Sequence, residues 1–279
     1  MEFALIDGLK REPFLGGRGN CGMCGSAMVA KCGPRVMHHW AHFGRRNCDP
    51  WWENETPWHR AWKSQFPIEC REVVHFADDG EIHRADIKTP TGIVIEVQHS
   101  AMTDAERLSR EAFYQNMVWV IDGAPFSKNF DFYHLLPCPK SDVAKDLLWL
   151  KAKRHQDGAN AGIFLRISEV RKDDPGVEKE TWKGGGEMHF LCHGYPEIDL
   201  AYCGHQQYDW VRPRRTWLDA SCPVYIDFGE DWLARLQTYD ETGLACIFRV
   251  AKRKFIHDVM TEASAADIAT RFYPLPGSR

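Results

Sequence analysis

The stretch HRADIKTPTGIVIEVQ, residues 83–98, joins two strand-like runs through a short turn and decides the fold predicted for this chain. The turn is Pro90-Thr91-Gly92. It has proline where φ should be near −65° and glycine where φ is positive, as a three-residue hairpin loop requires. We therefore expect a β-hairpin in which Thr89 lies opposite Ile93.

This register places two acidic side chains next to each other. Because side chains alternate between the faces of a strand, Asp86 falls opposite Glu96, and Arg84 falls opposite Gln98, on one polar face. The other face is apolar and contains Ala85, Ile87, Ile93, Ile95 and Val97. Directly opposed like charges destabilise a sheet unless a cation or a shared proton lies between them.

Carboxylate oxygens are the ligands that Mg²⁺ and Mn²⁺ prefer, and such an ion can activate water and neutralise phosphoryl charge. Asp86 and Glu96 are therefore predicted metal ligands of a phosphodiesterase centre. The competing interpretation is a solvated sheet face on which Arg84 and Lys88 offset the two acids.

A polar stripe on the preceding segment strengthens the metal-site hypothesis. Residues 53–66, ENETPWHRAWKSQF, are typical of a helix entered through Thr56-Pro57. Glu55, His59 and Lys63 recur every four residues and would share one helix face. We expect Glu55 to approach the metal, His59 to relay a proton, and Lys63 to contact a substrate phosphate. The same stripe also suits a helix that only faces solvent.

The segments around the hairpin predict the element order α-β-β-β-α-β. After the helix come three β-rich runs separated by turn residues, at residues 69–76, 81–89 and 92–98. A helix over residues 103–114 and a buried strand over residues 117–122 complete the order. The predicted fold class is α/β.

The composition is that of an ordinary globular protein, with 44% hydrophobic and 27% charged residues in a chain of 279. The net charge of −4 means that the chain as a whole is not basic, so the overall charge does not indicate nucleic-acid binding. No stretch approaches the roughly 20 apolar residues that span a bilayer, and the first residues lack the pattern of a signal peptide. The chain is therefore predicted to be cytoplasmic and without a membrane partner.

Charge separates three regions, for which we predict a zinc-binding head (residues 1–50), a core that carries the acidic pair (51–139) and a C-terminal α/β region of unknown role (140–279). Their net charges are +3, −6 and −1. A basic head beside an acidic middle suits a cation-binding centre next to a module that holds a polyanion. The sequence leaves the oligomeric state open.

The head contains five candidate zinc ligands, of which a tetrahedral ion takes four. They are Cys21, Cys24, His39, His42 and Cys48. The CxxC pair could be completed by His42 and Cys48 or by the two histidines, and we favour the first because thiolate suits structural zinc. Zn²⁺ is thus the predicted structural cofactor, and the nearby Arg45 and Arg46 are predicted nucleic-acid contacts.

The third region is mixed α/β. We predict helices over residues 143–154, 231–238 and 253–260, with strands over residues 162–167, 188–192, 198–203, 223–228 and 245–250. Arg212, Arg214 and Arg215 are further predicted nucleic-acid contacts. Trp210 and Trp217 flank them and are candidates for stacking on unpaired bases, although a charged loop would show the same composition.

Several of these motifs together resemble the competence protein CoiA-like family. The residues that carry the resemblance are Glu53-Asn54-Glu55-x3-His59-x3-Lys63, Arg84-Ala85-Asp86-Ile87, Glu96-Val97-Gln98-x-Ser100, a helix with Arg107, Arg110 and Tyr114, the strand Val118-Trp119-Val120, and CxxC followed by His39-Trp40-Ala41-His42. The resemblance covers about residues 21–121.

The resemblance implies a PD-(D/E)xK restriction-endonuclease-like core and metal-dependent cleavage of DNA. Asp86 and Glu96 would be the metal ligands, Glu55 the helical acid, and Gln98 would stand where most of that superfamily has lysine. Lys63 or Lys88 could replace the missing cation. The implied roles are DNA uptake, recombination or defence.

Two other functions fit the same residues. A DNA-binding recombination or competence accessory with a degenerate nuclease core is suggested by Gln98. A zinc-stabilised scaffold that binds only protein is the third hypothesis. The sequence does not choose between DNA and RNA, or between single-stranded, duplex and branched substrates.

Overall fold

The computed structural model describes residues 1–44, 48–51, 55–77, 80–154 and 162–270. The predicted α/β class is confirmed, and the chain forms two compact units. The first combines Met1–Val120 with Ile256–Ile268, and the second contains Ile121–Phe255. No helix in the described ranges is long and apolar enough to cross a membrane.

The first unit begins with five short strands that the sequence did not predict. They are β1 Ala4–Ile6, β2 Leu9–Arg11, β3 Arg18–Asn20, β4 Ala27–Lys31 and β5 His39–His42, in the order β2-β1-β3-β4-β5. Cys21, Met28 and Trp40 pack together beneath this sheet. The β3–β4 turn therefore brings the CxxC motif next to the end of β5.

The predicted α-β-β-β-α-β order is confirmed in the same unit. Its elements are α1 Pro57–Lys63, β6 Arg71–Phe76, β7 Ile82–Lys88, β8 Val94–Gln98, α2 Asp104–Tyr114 and β9 Met117–Asp122, and the strand order is β9-β8-β7-β6. Thr56 and Thr103 begin the two helices, because their side chains accept backbone N–H groups of the first turn.

The hairpin register is also as predicted. Ile87 pairs with Ile95 and Lys88 with Val94, which continues to Thr89 opposite Ile93. The turn is closed by the Thr89 amide donating to Ile93 O at 2.9 Å, and Gly92 has a φ of 92°. The predicted apolar face is fully buried, so the acidic pair lies on the other face.

The second unit contains the remaining elements. They are β10 Phe130–Pro137, α3 Asp142–Asp146, β11 Leu147–Trp149, β12 Ile163–Arg166, α4 Ile167–Asp173, β13 His189–Phe190, α5 Pro196–Leu200, β14 Tyr202–Trp210, α6 Arg215–Leu218, β15 Val224–Asp227, β16 Trp232–Thr238 and β17 Ala245–Ala251. Its strands form two sheets, ordered β10-β14-β17-β16-β15 and β11-β12-β13. The helices α7 Lys252–Thr261 and α8 Ala265–Thr270 follow, and residues 256–268 of this segment belong to the first unit.

Three predictions in the third region were wrong. The helix predicted over residues 143–154 ends at Asp146, because residues 147–149 are buried and pair with β12. The strand predicted from residue 198 is first the helix Pro196–Leu200, which proline at its first position favours. The helix predicted over residues 231–238 is β16, and the buried Arg235, stacked on Phe248 at 4.8 Å, hides its two-residue alternation.

The unit boundaries also differ from the predicted regions. The head and the core belong to one unit, which ends at Val120 rather than at residue 139 and regains residues 256–268. Asn116 fixes this return, since its side chain donates to Ala263 O and accepts from the Ala265 amide, both at 2.9 Å. Contacts about 150 residues apart leave no local sequence signal.

Candidate active site

Asp86 and Glu96 meet at the floor of one cleft, as the hairpin register predicted. The Glu96 carboxylate accepts the backbone N–H of Asp86 at 3.2 Å, and the Asp86 carboxylate accepts the backbone N–H of Val97 at 3.0 Å. The side chain of Asp86 is 22% exposed, whereas Glu96 is buried. Two carboxylates therefore converge where one of them still reaches solvent.

The pair titrates asymmetrically. Burial and then the negative charge of Asp86 raise the pKa of Glu96 to about 8, and Arg110 offsets only part of this. Burial alone would raise the pKa of Asp86 too, but His59 and Lys63 outweigh it and lower that pKa to about 2. At neutral pH Glu96 therefore keeps a proton and Asp86 is charged.

The asymmetry predicts a pH-dependent stability. A carboxyl whose pKa rises on folding holds its proton in the folded chain, so its contribution to the free energy of unfolding falls between its ordinary value of 4.5 and about 8. In EDTA, the melting temperature of the wild type should therefore drop relative to that of Glu96→Gln by about 3 °C or more between pH 5 and pH 8.5.

The exposed Glu69 provides the control. Glu69→Gln removes one surface carboxyl and is melted over the same pH range as the reference for that change. A constant offset between Glu96→Gln and the wild type would contradict the raised pKa of Glu96.

His59 lies where the helix stripe predicted it, facing the acidic pair. Its Nε2 is 3.0 Å from Asp86 Oδ1, and the ring is buried. Burial works against the protonated ring, but Asp86 outweighs it and raises the pKa of His59. His59 therefore orients Asp86 and holds a proton next to it.

Glu55 and Lys63 are arranged differently from the prediction. The side chain of Lys63 is 1% exposed, and its Nζ forms ion pairs with Glu55, with Glu72 at 3.0 Å and with Glu2 at 3.3 Å. These three carboxylates lie within 4.8 Å of one another. Glu55 thus faces Lys63 rather than a metal at Asp86, and Lys63 is not open to a substrate phosphate.

Removing this buried cation should destabilise the fold strongly. Lys63→Met removes the cation that three buried carboxylates share, and breaking a buried ion pair costs about 3–5 kcal/mol. Urea unfolding should show that loss in the free energy of unfolding. The exposed Lys145, which pairs with Asp142, is the matched control, and Lys145→Met should leave the free energy of unfolding close to the wild-type value. Equal losses in the two variants would contradict the network.

Two further residues hold the acidic pair. Arg110 Nη1 donates to Glu96 Oε2 at 2.8 Å, while Nη2 bonds Trp51 O and Glu106. The sequence analysis assigned Arg110 no role, although the Glu106/Arg110 spacing of four on α2 was a signal for an ion pair. Gln98 is buried, and its amide donates to Ser100 Oγ at 3.0 Å.

The cleft above these residues opens to solvent, and the empty space in and in front of it is about 460 Å³. The predicted residues Glu55, His59, Lys63, Asp86, Glu96 and Gln98 all line it, together with Asp49, Trp51, Glu72, Arg84, Val97 and Arg110. Arg84 is partly buried there. Burial disfavours its charge, but Glu72 and Asp49 outweigh this and raise the pKa of Arg84.

The head brings together four of the five candidate zinc ligands, and this cluster could bind a metal such as zinc. The ligand atoms of Cys21, Cys24, His42 and Cys48 lie within 4.8 Å of one another. Cys24 Sγ is 3.3 Å from His42 Nε2, and Cys21 Sγ is 3.7 Å from Cys48 Sγ. His39 instead bonds Met37 O and is not part of this cluster, whose members are those of the favoured Cys₃His set.

The structure describes only some of the predicted nucleic-acid contacts. Arg45 and Arg46 lie outside the described residues. Arg212 and Arg215 are exposed, while the Arg214 guanidinium lies 5.0 Å from the centre of the Phe126 ring. The expectation that the flanking tryptophans stack on bases was wrong, because Trp210 and Trp217 are buried and Trp210 stacks on Phe126.

The chain matches no known family model, no curated protein and no solved structure.

Proposed function

We propose that this protein is a metal-dependent DNA nuclease of the CoiA-like type, built on a PD-(D/E)xK-like core. The observation that carries the proposal is the convergence of Asp86 and Glu96 at the floor of an open cleft, on adjacent strands of a hairpin. The proposed setting is the cytoplasm, in DNA uptake, recombination or defence.

The residues of the cleft fit a hard divalent cation. Asp86 and Glu96 offer only oxygen ligands, Asp86 reaches solvent, and one or two carboxylates with water and substrate phosphate are what Mg²⁺ requires. When bound there, Mg²⁺ or Mn²⁺ would lower the pKa of a water molecule and neutralise charge on the scissile phosphate. Glu96 would have to give up its proton to ligate the ion.

The surrounding side chains position this pair. His59 orients Asp86 and can accept or supply a proton at Nε2, next to the Asp86 carboxylate. Arg110 fixes the Glu96 carboxylate, and Gln98 places an amide on the same strand two residues after it. Lys63 supports the floor of the cleft through its three carboxylate partners.

The Cys₃His cluster supports a structural role for Zn²⁺ in the same proposal. Four protein ligands close the coordination sphere, and a closed sphere has no position for substrate. Bound zinc would hold the CxxC turn, β5 and Cys48 together. The short strands of the head bury too little surface to hold these segments firmly by themselves.

The test is degradation of circular and linear DNA, single-stranded and duplex, with Mg²⁺ or Mn²⁺ and with EDTA. The proposal predicts cleavage with either ion and none in EDTA. Cleavage that persists in EDTA, or its absence from every DNA with both ions, would exclude the proposed reaction.

One observation favours a second function, a DNA-binding accessory without turnover. The amide of Gln98 is bonded to Ser100, and Lys63, the predicted replacement for a catalytic lysine, is neutralised by carboxylates. This alternative predicts salt-sensitive DNA binding without metal-dependent cleavage.

A further inference from the structure

Most cationic side chains around the cleft are already committed to partners. Lys63 is held by three carboxylates, and Arg110 bonds Glu96, Glu106 and Trp51 O. On the outer side of α1, Arg60 bonds Glu55 at 2.6 Å and His38 O at 2.7 Å. If one of these cations bound a new anion, it would have to release the carboxylate that it now pairs with.

Arg84 is different. Only its backbone is fixed, since its N–H donates to Asp49 Oδ2 at 3.0 Å. Within the ranges that the structure describes, its guanidinium forms no hydrogen bond or ion pair, although it lines the cleft together with Asp49, Glu72 and Asp86. The guanidinium nitrogens of Arg84 are not shut off from solvent, so their five N–H donors can bond a ligand that enters the cleft.

We propose that Arg84 binds a phosphate group of the nucleic-acid substrate. It is two residues before Asp86 on β7 and therefore projects from the same face, about 7 Å along the strand. A guanidinium binds phosphate through two parallel hydrogen bonds, and in an otherwise acidic cleft it offsets the repulsion of a polyanion. Arg84 thus takes the role in phosphate binding that was predicted for Lys63.

This inference rests on the proposed function, and its test separates the two. A fluorescein-labelled oligonucleotide, single-stranded and then duplex, is titrated with protein in Ca²⁺ so that binding is followed without cleavage. Arg84→Gln should weaken binding about tenfold to a hundredfold and reduce the salt dependence of binding by about one phosphate contact. Arg84→Lys should retain part of the affinity, because it keeps the charge without the fork.

The matched control is Arg60→Gln, which removes the same charge from a guanidinium that is already bonded, and it should bind within about twofold of the wild type. Arg84→Gln should bind Mn²⁺ at least as tightly as the wild type does when DNA is absent, as measured by electron paramagnetic resonance. Its melting temperature should also be at least as high as that of the wild type.

Two results would overturn the inference. The first is that Arg84→Gln binds the oligonucleotide as tightly as the wild type does. The second is that its oligonucleotide affinity falls together with its Mn²⁺ binding or its melting temperature, because Arg84 would then be a structural residue. A wild type that binds no oligonucleotide at low salt would remove the inference and the proposed nuclease together, whereas a wild type that binds and cleaves leaves the nuclease standing.

Discussion

Replacing Asp86 with asparagine should lower metal-dependent DNA cleavage by about a thousandfold or more. Asp86 is the partly exposed, permanently charged member of the acidic pair, so the amide removes the ligand on which cation binding most depends. A metal ion supplies several kcal/mol of transition-state stabilisation, and each 1.4 kcal/mol is about tenfold in rate. Initial rates of plasmid cleavage in Mn²⁺ would measure the loss.

Glu96→Gln should act in the same direction, because a neutral amide cannot replace the ionised carboxylate as a ligand. Asp142→Asn is the control, since that side chain is 97% exposed and belongs to the second unit. It should cleave at the wild-type rate. Wild-type activity in Asp86→Asn would eliminate the proposed centre, provided that its melting temperature confirms a folded protein.

Replacing Cys48 with serine should remove zinc from the head. Wild-type protein is expected to carry about one zinc ion per chain, and structural zinc sites contribute on the order of 10 kcal/mol or more to folding. The variant should retain less than about a tenth of the wild-type zinc after dialysis against a weak chelator, and its melting temperature should fall. Atomic absorption and thermal melts would measure both.

Two matched pairs locate the ligands. Cys32 and His39 lie outside the Cys₃His cluster, so Cys32→Ser and His39→Gln should keep zinc, whereas Cys48→Ser and His42→Gln should lose it. Loss of zinc from His39→Gln but not from His42→Gln would show that His39 is a zinc ligand in place of His42 and would contradict the Cys₃His cluster.

The hairpin and its acidic pair were predictable because their signals are local. Pro90-Thr91-Gly92 fixes the turn, the turn fixes the register, and the register fixes the side on which Asp86 and Glu96 lie. The same holds for α1 and α2, whose first residues follow a threonine cap. Each of these signals lies within a few residues of the structure that it specifies.

The surroundings of Lys63 were not predictable in this way. Its partners include Glu2 and Glu72, and Glu72 also accepts the backbone N–H groups of Glu2 and Phe3, about 70 residues earlier in the chain. Helical spacing placed Lys63 on the correct face of α1 but could not show that carboxylates from elsewhere would surround it. The prediction for residues 147–149 was wrong for the same reason, because the strand Leu147–Trp149 pairs with β12, which lies later in the chain.

The proposed metal centre is tested most directly by a crystal structure of the protein soaked with Mn²⁺, in which anomalous density locates the ion. We expect a peak in contact with carboxylate oxygens of both Asp86 and Glu96, at about 2.2 Å as for other hard divalent cations. A peak found only among Glu2, Glu55 and Glu72 would contradict the proposed centre. So would the absence of a peak near Asp86, with Asp86 still paired with His59 and Glu96 still paired with Arg110.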